Sequence, residues 1–207
     1  KNFYNGESLG RRSNTECRRC MLEVIDNFLE EEEAGEVRAF TLNNLVADRP
    51  KYKGGYISIE LTDKFPLYQV LQEKIKQKLS ILHDKYFFQG WIFCYDEYCD
   101  GVTPHADPGA INVNIWCTPD WCMLDKTKNG LIVYNVKPPE DWEWEDYNRD
   151  LPKIETYLEE KQAVGRKIPY KYKRATVFDS RYFHETDSVS TKPGIGNKRI
   201  NITFMYK

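Results

Sequence analysis

The chain has 207 residues, of which 41% are hydrophobic, and its 30 lysines and arginines nearly balance 32 aspartates and glutamates, for a formal net charge of −2. This size and apolar content suit a single domain over residues 1–207, and the balanced charge gives no general attraction for nucleic acid. No stretch approaches the roughly 20 apolar residues that span a bilayer, and residues 1–19 lack the apolar core of a signal peptide. We therefore predict a cytoplasmic protein that binds neither membranes nor nucleic acid.

Six cysteines raise the question of disulfides or a structural metal. They are Cys17, Cys20, Cys94, Cys99, Cys117 and Cys122. Because the sequence shows no secretory signal, we expect reduced thiols, with disulfides as the less favoured alternative. Cys17 and Cys20 have the spacing of half a zinc site, but a structural zinc ion needs four ligands, so zinc is less favoured as well.

Residues 1–84 are predicted to form an irregular and helical scaffold. Apolar residues recur at helical spacing over 21–29, directly before the acidic run 30–33, which predicts an amphipathic helix with a solvated acidic end. A second helix is predicted to begin near Pro66, because proline is favoured at the first helical position. Its apolar stripe consists of Leu67, Val70, Leu71, Ile75, Leu79 and Leu82.

Residues 85–207 consist of short β-branched or aromatic runs separated by Gly, Pro, Asp and Asn, which is typical of strands. A mainly β chain with flanking helices indicates a jelly roll, a barrel of two antiparallel sheets. Residues of about 138–164 are rich in Trp, Glu and Asp and predict an insertion with a helix near 151–162. The predicted strands are 91–96, 111–117, 131–136, 166–170, 174–179 and 199–206.

Three histidines limit the metal sites that the chain can form. His105 and Asp107 lie two residues apart, so in an extended segment both side chains point to the same face. His184 follows a predicted strand and is the candidate third ligand. His83 lies at the predicted end of the second helix, where the helix dipole favours a histidine, so we do not assign it as a ligand. Two histidines and one carboxylate leave three positions open on an octahedral ion, as non-haem Fe(II) chemistry requires.

Arg199 lies on the last predicted strand, where alternation places Arg199, Asn201 and Thr203 on one face and apolar residues on the other. An arginine inside a barrel needs an anion, and its guanidinium pairs with a carboxylate through two parallel hydrogen bonds. The sequence therefore predicts a carboxylate-binding arginine inside the barrel.

These residues follow the order of a known family motif. His105-x-Asp107, then His184, then Arg199-x-Asn201, within strands of this kind, resemble the Fe(II)- and 2-oxoglutarate-dependent oxygenases over the strand-rich part of the chain. The resemblance extends to uncharacterised bacterial and phage members that are related to prolyl hydroxylases and phytanoyl-CoA hydroxylases. The stretches similar to those members are 105–116, 130–134 and 183–187.

The resemblance implies a double-stranded β-helix in which His105, Asp107 and His184 hold the catalytic iron. It also implies that 2-oxoglutarate binds this iron through its 1-carboxylate and 2-oxo groups, while Arg199 holds its 5-carboxylate. Dioxygen would convert the co-substrate to succinate and CO2. Halogenating relatives carry Gly or Ala in place of the carboxylate ligand, so Asp107 favours hydroxylation or another simple oxygenation. The expected substrate is a small molecule or a protein side chain.

The resemblance assigns further residues to the co-substrate. In prolyl-hydroxylase-like members a tyrosine on the strand before the His-x-Asp motif reaches the co-substrate, which suggests Tyr95, although a core aromatic fits this position equally well. Asn112 and Asn114 share one face of their strand, and we prefer Asn114 as the contact of the 1-carboxylate. Asn201 stands where many relatives carry Ser or Thr, and we predict that it contacts the 5-carboxylate.

Aromatic residues cluster near the predicted insertion, where they could form a substrate lid or pack a long loop. They are Trp121, Trp142, Trp144 and Tyr147. The neighbouring acidic residues favour a cationic or neutral substrate over a phosphate-rich one. They are Glu140, Asp141, Glu143, Glu145 and Asp146.

Two other functions fit parts of this pattern. A jelly-roll binding module could use the same ligands without turnover, but such a module gives no reason for Arg199. A cupin-like iron enzyme without a keto acid usually supplies three or four histidine ligands, and one of the three histidines here is assigned to a helix end. The oxygenase is therefore the preferred prediction.

Overall fold

The computed structural model describes residues 22–45 and 51–207, so Cys17 and Cys20 lie outside the described residues. Its helices are α1 (Glu31–Asn43), α2 (Tyr68–Lys78), α3 (Trp144–Asn148) and α4 (Leu151–Glu160). Its strands are β1 (Leu22–Ile25), β2 (Tyr56–Glu60), β3 (Phe87–Tyr95), β4 (Tyr98–Cys99), β5 (Ile111–Trp116), β6 (Leu131–Tyr134), β7 (Gly165–Ile168), β8 (Ala175–Asp179), β9 (His184–Thr186), β10 (Val189–Ser190) and β11 (Ile200–Tyr206).

Two antiparallel sheets face each other and form a jelly roll. The larger sheet has the strand order β1-β8-β5-β11-β3-β2 and the smaller sheet the order β7-β6-β9, while β4 and β10 pair separately. Trp116 and Phe178 of the larger sheet pack against Leu131, Val133 and Ile168 of the smaller one. The predicted mainly β architecture with flanking helices is confirmed.

The first two helices cover the outer face of the larger sheet. Side chains alternate along β11, so that Ile202 and Phe204 pack in a core shared with α1 and α2, whereas Asn201 and Thr203 face the interior between the sheets. Each fully buried side chain of this size contributes about 1.5–3 kcal/mol relative to an exposed one. In the described ranges no helix combines the length and the apolar character that crossing a membrane requires.

The predicted helix over 21–29 is wrong, because Leu22–Ile25 forms the strand β1. This strand pairs with β8, which is far away in sequence, so the local spacing of apolar residues could not reveal the pairing. The helix begins instead within the acidic run, where the backbone N–H of Glu30 donates to Glu33 Oε2 at 2.8 Å. Carboxylates in a first turn are favourable because the helix dipole is positive there.

Most of the other predicted elements are confirmed, with shifted ends. α2 buries Leu71 and Ile75 of the predicted apolar stripe, whereas Val70 is 50% exposed and Leu79 and Leu82 lie beyond the end of the helix. The six predicted strands correspond to β3, β5, β6, β7, β8 and β11, and the insertion between β6 and β7 contains α3 and α4. The strands β1 and β2 belong to the larger sheet, so the described part of residues 1–84 is not only the irregular and helical scaffold that the sequence predicts.

The described cysteines, Cys94, Cys99, Cys117 and Cys122, are free thiols. Burial raises the pKa of Cys94 and that of Cys117 to about 12. Because the thiolate is the reactive form, these two side chains act as small apolar residues.

Candidate metal centre

His105, Asp107 and His184 each place one ligand atom within 4.8 Å of the others. His105 Nε2 lies 3.9 Å from Asp107 Oδ1, and His184 Nε2 lies 3.5 Å from Asp107 Oδ2. The backbone fixes this arrangement, because His105 and His184 form an antiparallel bridge with N to O distances of 3.0 and 2.8 Å. The fold therefore brings together the three side chains that the sequence suggests.

Both histidines are held with Nε2 towards Asp107. His105 Nδ1 lies 2.8 Å from the carbonyl oxygen of Thr103, and His184 Nδ1 lies 2.9 Å from that of Tyr182. A carbonyl oxygen only accepts hydrogen bonds, so Nδ1 carries the proton and the Nε2 lone pair remains for a metal. Burial, reinforced by the neighbouring His184, lowers the pKa of His105 to about 4. The His105 ring is therefore neutral at physiological pH, as metal binding requires.

Two asparagines hold the carboxylate of Asp107. Asn112 Nδ2 donates to Oδ2 at 2.8 Å, and Asn148 Nδ2 lies 3.4 Å from Oδ1. Burial opposes ionisation of Asp107, whereas the hydrogen bond from Asn112 favours the carboxylate, and the pKa of this carboxyl lies below its usual range. A carboxylate beside two Nε2 lone pairs is a donor set that fits a divalent transition metal with open coordination positions.

We expect Asn112→Ala to weaken metal binding by about 10- to 100-fold, since groups that orient a metal ligand have effects of this size. Asn148→Ala should have a smaller effect, because its contact with the carboxylate is longer. Calorimetric titration with Co²⁺ measures both variants, and Asn43→Ala, a change at an exposed position on α1, is the control. An unchanged affinity of Asn112→Ala would contradict the proposed orienting role.

The low pKa of His105 should make the unfolding of the metal-free protein depend on pH. The unfolded imidazole has its ordinary pKa of 6.5, whereas the folded one has a pKa of about 4. As the pH falls, the unfolded state binds the proton first, so the free energy of unfolding should decrease between about pH 6.5 and 4, by on the order of 3 kcal/mol. Urea unfolding at several pH values measures this loss. His105→Gln should lose less stability than the wild type, and an equal loss would count against the explanation.

A cavity of about 550 Å³ opens beside the three residues. Four polar side chains line this cavity one after another, and we call them the polar row. In spatial order they are Asn112, Asn114, Thr203 and Asn201. Their order follows from the sheet register, because Asn114 on β5 lies opposite Thr203 on β11. The polar row begins at Asn112, beside Asp107, and ends at Asn201. A cavity of this volume suits a small ligand.

Arg199 is buried where the polar row ends, with 1% of its surface exposed. Its Nε donates to the carbonyl oxygen of Asn129 at 2.7 Å and its Nη1 donates to Asn201 Oδ1 at 2.8 Å, while the guanidinium lies 4.4 Å from the centre of the Tyr95 ring. Tyr95 and Asn201 line the cavity, whereas Arg199 lies directly behind them. In the described part of the chain no carboxylate pairs with this guanidinium. A buried charge without a counter-ion is costly, so the arrangement favours an anionic ligand.

The other residues predicted to contact the co-substrate also lie at the cavity. The hydroxyl of Tyr95 is 3.2 Å from Thr186 Oγ1, and burial raises the pKa of this phenol. Asn114 lines the cavity, and its Oδ1 is buried with no hydrogen-bond partner among the described residues. The Asn112 side chain instead donates a hydrogen bond to Asp107. His83 is exposed at the end of the short 3₁₀ helix Ser80–Leu82 and does not line the cavity.

The acidic residues of the insertion do not form part of the described cavity lining. The insertion contributes Trp144, Asn148 and Arg149 to the cavity instead. Asp146 shows the reason, because its carboxylate accepts a hydrogen bond from the backbone N–H of Glu143 at 3.0 Å and pairs with a lysine of α4. Glu143, Glu145 and Asp146 lie at the start of α3, where the helix dipole favours carboxylates.

Of the four aromatic residues that could form a lid or pack a long loop, only Trp144 lines the cavity. Trp142 and Tyr147 pack in an apolar cluster with α4, and Trp121 is 63% exposed. Asn148 is not predicted from the sequence. Its one signal is its spacing from Trp144, since residues four apart share a face of a helix.

No protein-family model and no curated protein matches the sequence. Solved structures do match it. The non-haem α-ketoglutarate-dependent epimerase SnoN from nogalamycin biosynthesis aligns with a TM-score of 0.64 at 15% identity, over 91% of this chain and 79% of that chain. HygX from Streptomyces hygroscopicus, with nickel and 2-oxoglutarate bound, gives 0.59 at 9% identity, over 91% and 83%. A prolyl hydroxylase from Trichoplax adhaerens, in complex with a hypoxia-inducible-factor peptide, gives 0.54 at 15% identity, over 89% and 82%. The chain therefore has their fold, a double-stranded β-helix.

Proposed function

We propose that the chain is an Fe(II)- and 2-oxoglutarate-dependent dioxygenase that hydroxylates a small molecule or a protein side chain. The proposal is carried by the convergence of His105, Asp107 and His184, in which both Nε2 lone pairs and an ionised carboxylate are directed at one point. Structures of the same fold support it, because SnoN is α-ketoglutarate-dependent and HygX holds 2-oxoglutarate with nickel.

The metal would be held by His105, Asp107 and His184. When bound, Fe(II) and 2-oxoglutarate supply the oxidising chemistry, in which dioxygen is consumed and succinate and CO2 are released. Asn112 and Asn148 keep the carboxylate of Asp107 in the orientation that a ligand needs. The protein thus contributes three donor side chains that are already gathered before a metal enters.

The dicarboxylate would lie along the polar row. Arg199 supplies the positive charge for the 5-carboxylate. Asn201 accepts a hydrogen bond from Arg199 and donates one to Thr203 Oγ1 at 3.2 Å, and it lines this end of the cavity, where it contacts the ligand. Tyr95 borders the same end through its ring. Asn114, with its buried and unpaired Oδ1, contacts the co-substrate nearer the metal.

The apolar part of the lining would keep water away from the metal-facing end. The Phe178 ring lies with its centre 4.8 Å from that of His184, and Leu131 lines the cavity beside it. Trp144 borders the cavity from the inserted segment. A drier site strengthens the electrostatic hold on a charged co-substrate and limits side reactions.

Hydroxylation is the proposed outcome because Asp107 fills the carboxylate position that halogenating relatives leave to a halide. The same fold serves an epimerase, SnoN, and a prolyl hydroxylase, so the product must be analysed directly. Mass spectrometry separates the two outcomes, since hydroxylation adds the mass of one oxygen atom and epimerisation leaves the mass unchanged.

Succinate formation tests the proposed activity. The purified chain is incubated in air with Fe(II) and 2-oxoglutarate, and we expect succinate that requires both components and oxygen. The His105→Ala variant should form none. A wild-type chain that binds both Fe(II) and 2-oxoglutarate and yet forms no succinate would be a binding module, and the proposed activity would be wrong.

A further inference from the structure

Four aromatic side chains form a continuous wall on one side of the cavity. Tyr52 stacks on Tyr56 with ring centres 4.8 Å apart, Tyr56 lies 5.8 Å from Phe93, and Phe93 lies 6.4 Å from Trp91. All four line the cavity, and we call them the aromatic shelf. Tyr52 is 53% exposed at the outer end, so the shelf leads from the surface inwards.

The aromatic shelf is distinct from the apolar core. On β3, Ile92 and Cys94 are buried in the core against the helices, whereas Trp91 and Phe93 point to the opposite face and border the cavity. They are only half-buried there. Large ring surfaces that remain accessible within a concave site mark a place where a ligand covers them.

The aromatic shelf borders the position proposed for 2-oxoglutarate along one side. Trp91 is opposite Thr203 and Phe93 is opposite Asn201 across the β3–β11 pair. The shelf continues from β3 to β2, whereas the metal-facing Asn112 lies on the other side of β11, on β5. A ligand on the shelf would therefore lie beside the polar row, on the side away from β5.

Arg149 contributes a positive charge to the lining of the same cavity. Its guanidinium is stacked 4.3 Å from the centre of the Trp144 ring, and both residues line the cavity. Stacking uses the face of the guanidinium and leaves the N–H groups at its edge available. No acidic side chain pairs with Arg149 in the ranges that the structure describes, and the nearby lining carboxylate, Glu185, accepts a hydrogen bond from Tyr134.

We propose that the substrate, if the chain acts as the oxygenase proposed above, is a small molecule that carries a ring and an acidic group. The ring stacks on the aromatic shelf, and the acidic group pairs with Arg149. The ring is either aromatic or a sugar, because both present a flat apolar face to aromatic side chains. The positive charge of Arg149 disfavours a cationic substrate.

Two pairs of probes test the proposal by saturation-transfer NMR on the full chain with 2-oxoglutarate in excess. Benzoate and benzamide share an aromatic ring, and D-glucuronate and methyl β-D-glucoside share a sugar ring. In the pair that binds, the member with the carboxylate should bind about two- to five-fold more tightly than the neutral member, and Arg149→Gln should remove this difference. The exposed-site variant Tyr52→Ala and the milder Phe93→Leu should weaken both members about two- to ten-fold.

Matched variants outside the cavity serve as controls. Arg166→Gln on β7, Tyr98→Ala on β4 and Phe88→Leu on β3 should leave the affinities unchanged. The proposal is overturned if no probe binds, if the shelf variants have no effect, or if phenyltrimethylammonium binds more tightly than benzoate. A chain that forms succinate without binding these probes would refute this inference alone. A chain that binds them but forms no succinate would refute the proposed activity alone.

Discussion

Replacing His184 by alanine is expected to abolish tight binding of a divalent metal. The change removes one of three ligand atoms that lie within 4.8 Å of one another. Loss of a group that only orients a ligand costs about 10- to 100-fold in affinity, so the loss of a ligand should exceed about 100-fold. Anaerobic calorimetric titration with Fe(II), and a parallel titration with Co²⁺, measure the effect.

His83→Ala is the matched control for this variant, because His83 is exposed and does not line the cavity. Its metal affinity should equal that of the wild type. Circular dichroism establishes that the His184→Ala variant is folded. Wild-type affinity in a folded His184→Ala protein would show that the metal is held elsewhere.

Replacing Arg199 by glutamine is expected to weaken 2-oxoglutarate binding by a large factor. The guanidinium is buried with no carboxylate partner among the described residues, so the ligand would be its counter-ion. Removing one partner of a buried ion pair costs about 2 to 5 kcal/mol, which is about 30-fold to a few thousand-fold in affinity. Arg199→Lys should recover only part of the loss, because lysine keeps the positive charge but cannot keep both hydrogen bonds, to Asn129 and to Asn201. Titration of 2-oxoglutarate in the presence of Ni²⁺ measures these affinities.

Two controls separate lost charge from lost structure. Arg166→Gln removes an exposed arginine on β7 and should bind 2-oxoglutarate as the wild type does. Arg199 also holds the carbonyl oxygen of Asn129, so thermal unfolding of Arg199→Gln is followed alongside the titration. If Arg199→Gln is folded and binds 2-oxoglutarate as tightly as the wild type, another cationic side chain must bind the 5-carboxylate.

The insertion is connected to the proposed metal ligand. The backbone N–H of Ala106 donates to the carbonyl oxygen of Tyr147 at 2.9 Å, and Asn148 Nδ2 donates to the carbonyl oxygen of Ala106 at 2.8 Å. These bonds join the end of α3 to the segment that carries Asp107. Substitutions in α3 should therefore affect the metal site as well as the cavity wall.

The strands of the second half could be predicted because apolar and polar residues alternate along them according to the two faces of the sheet. Along β11, Ile200, Ile202 and Phe204 alternate with Asn201 and Thr203, and the two faces differ as the alternation indicates. β1 could not be predicted, because its partner β8 comes from the other end of the chain. Its apolar residues fit a helical spacing equally well, and only the pairing decides between the two.

Within the site, the spacing of residues along the sequence predicted two metal ligands. The contacts that the insertion makes by folding over the cavity could not be predicted in this way. His105 and Asp107 lie two residues apart in an extended segment, so alternation places them together. The scarcity of histidines pointed to His184. Asn148 and Arg149 reach the cavity only because the insertion folds over it, and apart from the spacing of Asn148 from Trp144 no local pattern indicates that path.

The absorption spectrum of the wild-type chain mixed with Fe(II) and 2-oxoglutarate without oxygen tests the central claim most directly. If the metal and the dicarboxylate meet in this cavity, a weak visible charge-transfer band appears only when both are present, and His184→Ala abolishes it. A mixture that stays colourless, at concentrations where titration shows both components bound, would mean that they bind apart and would contradict the proposed site.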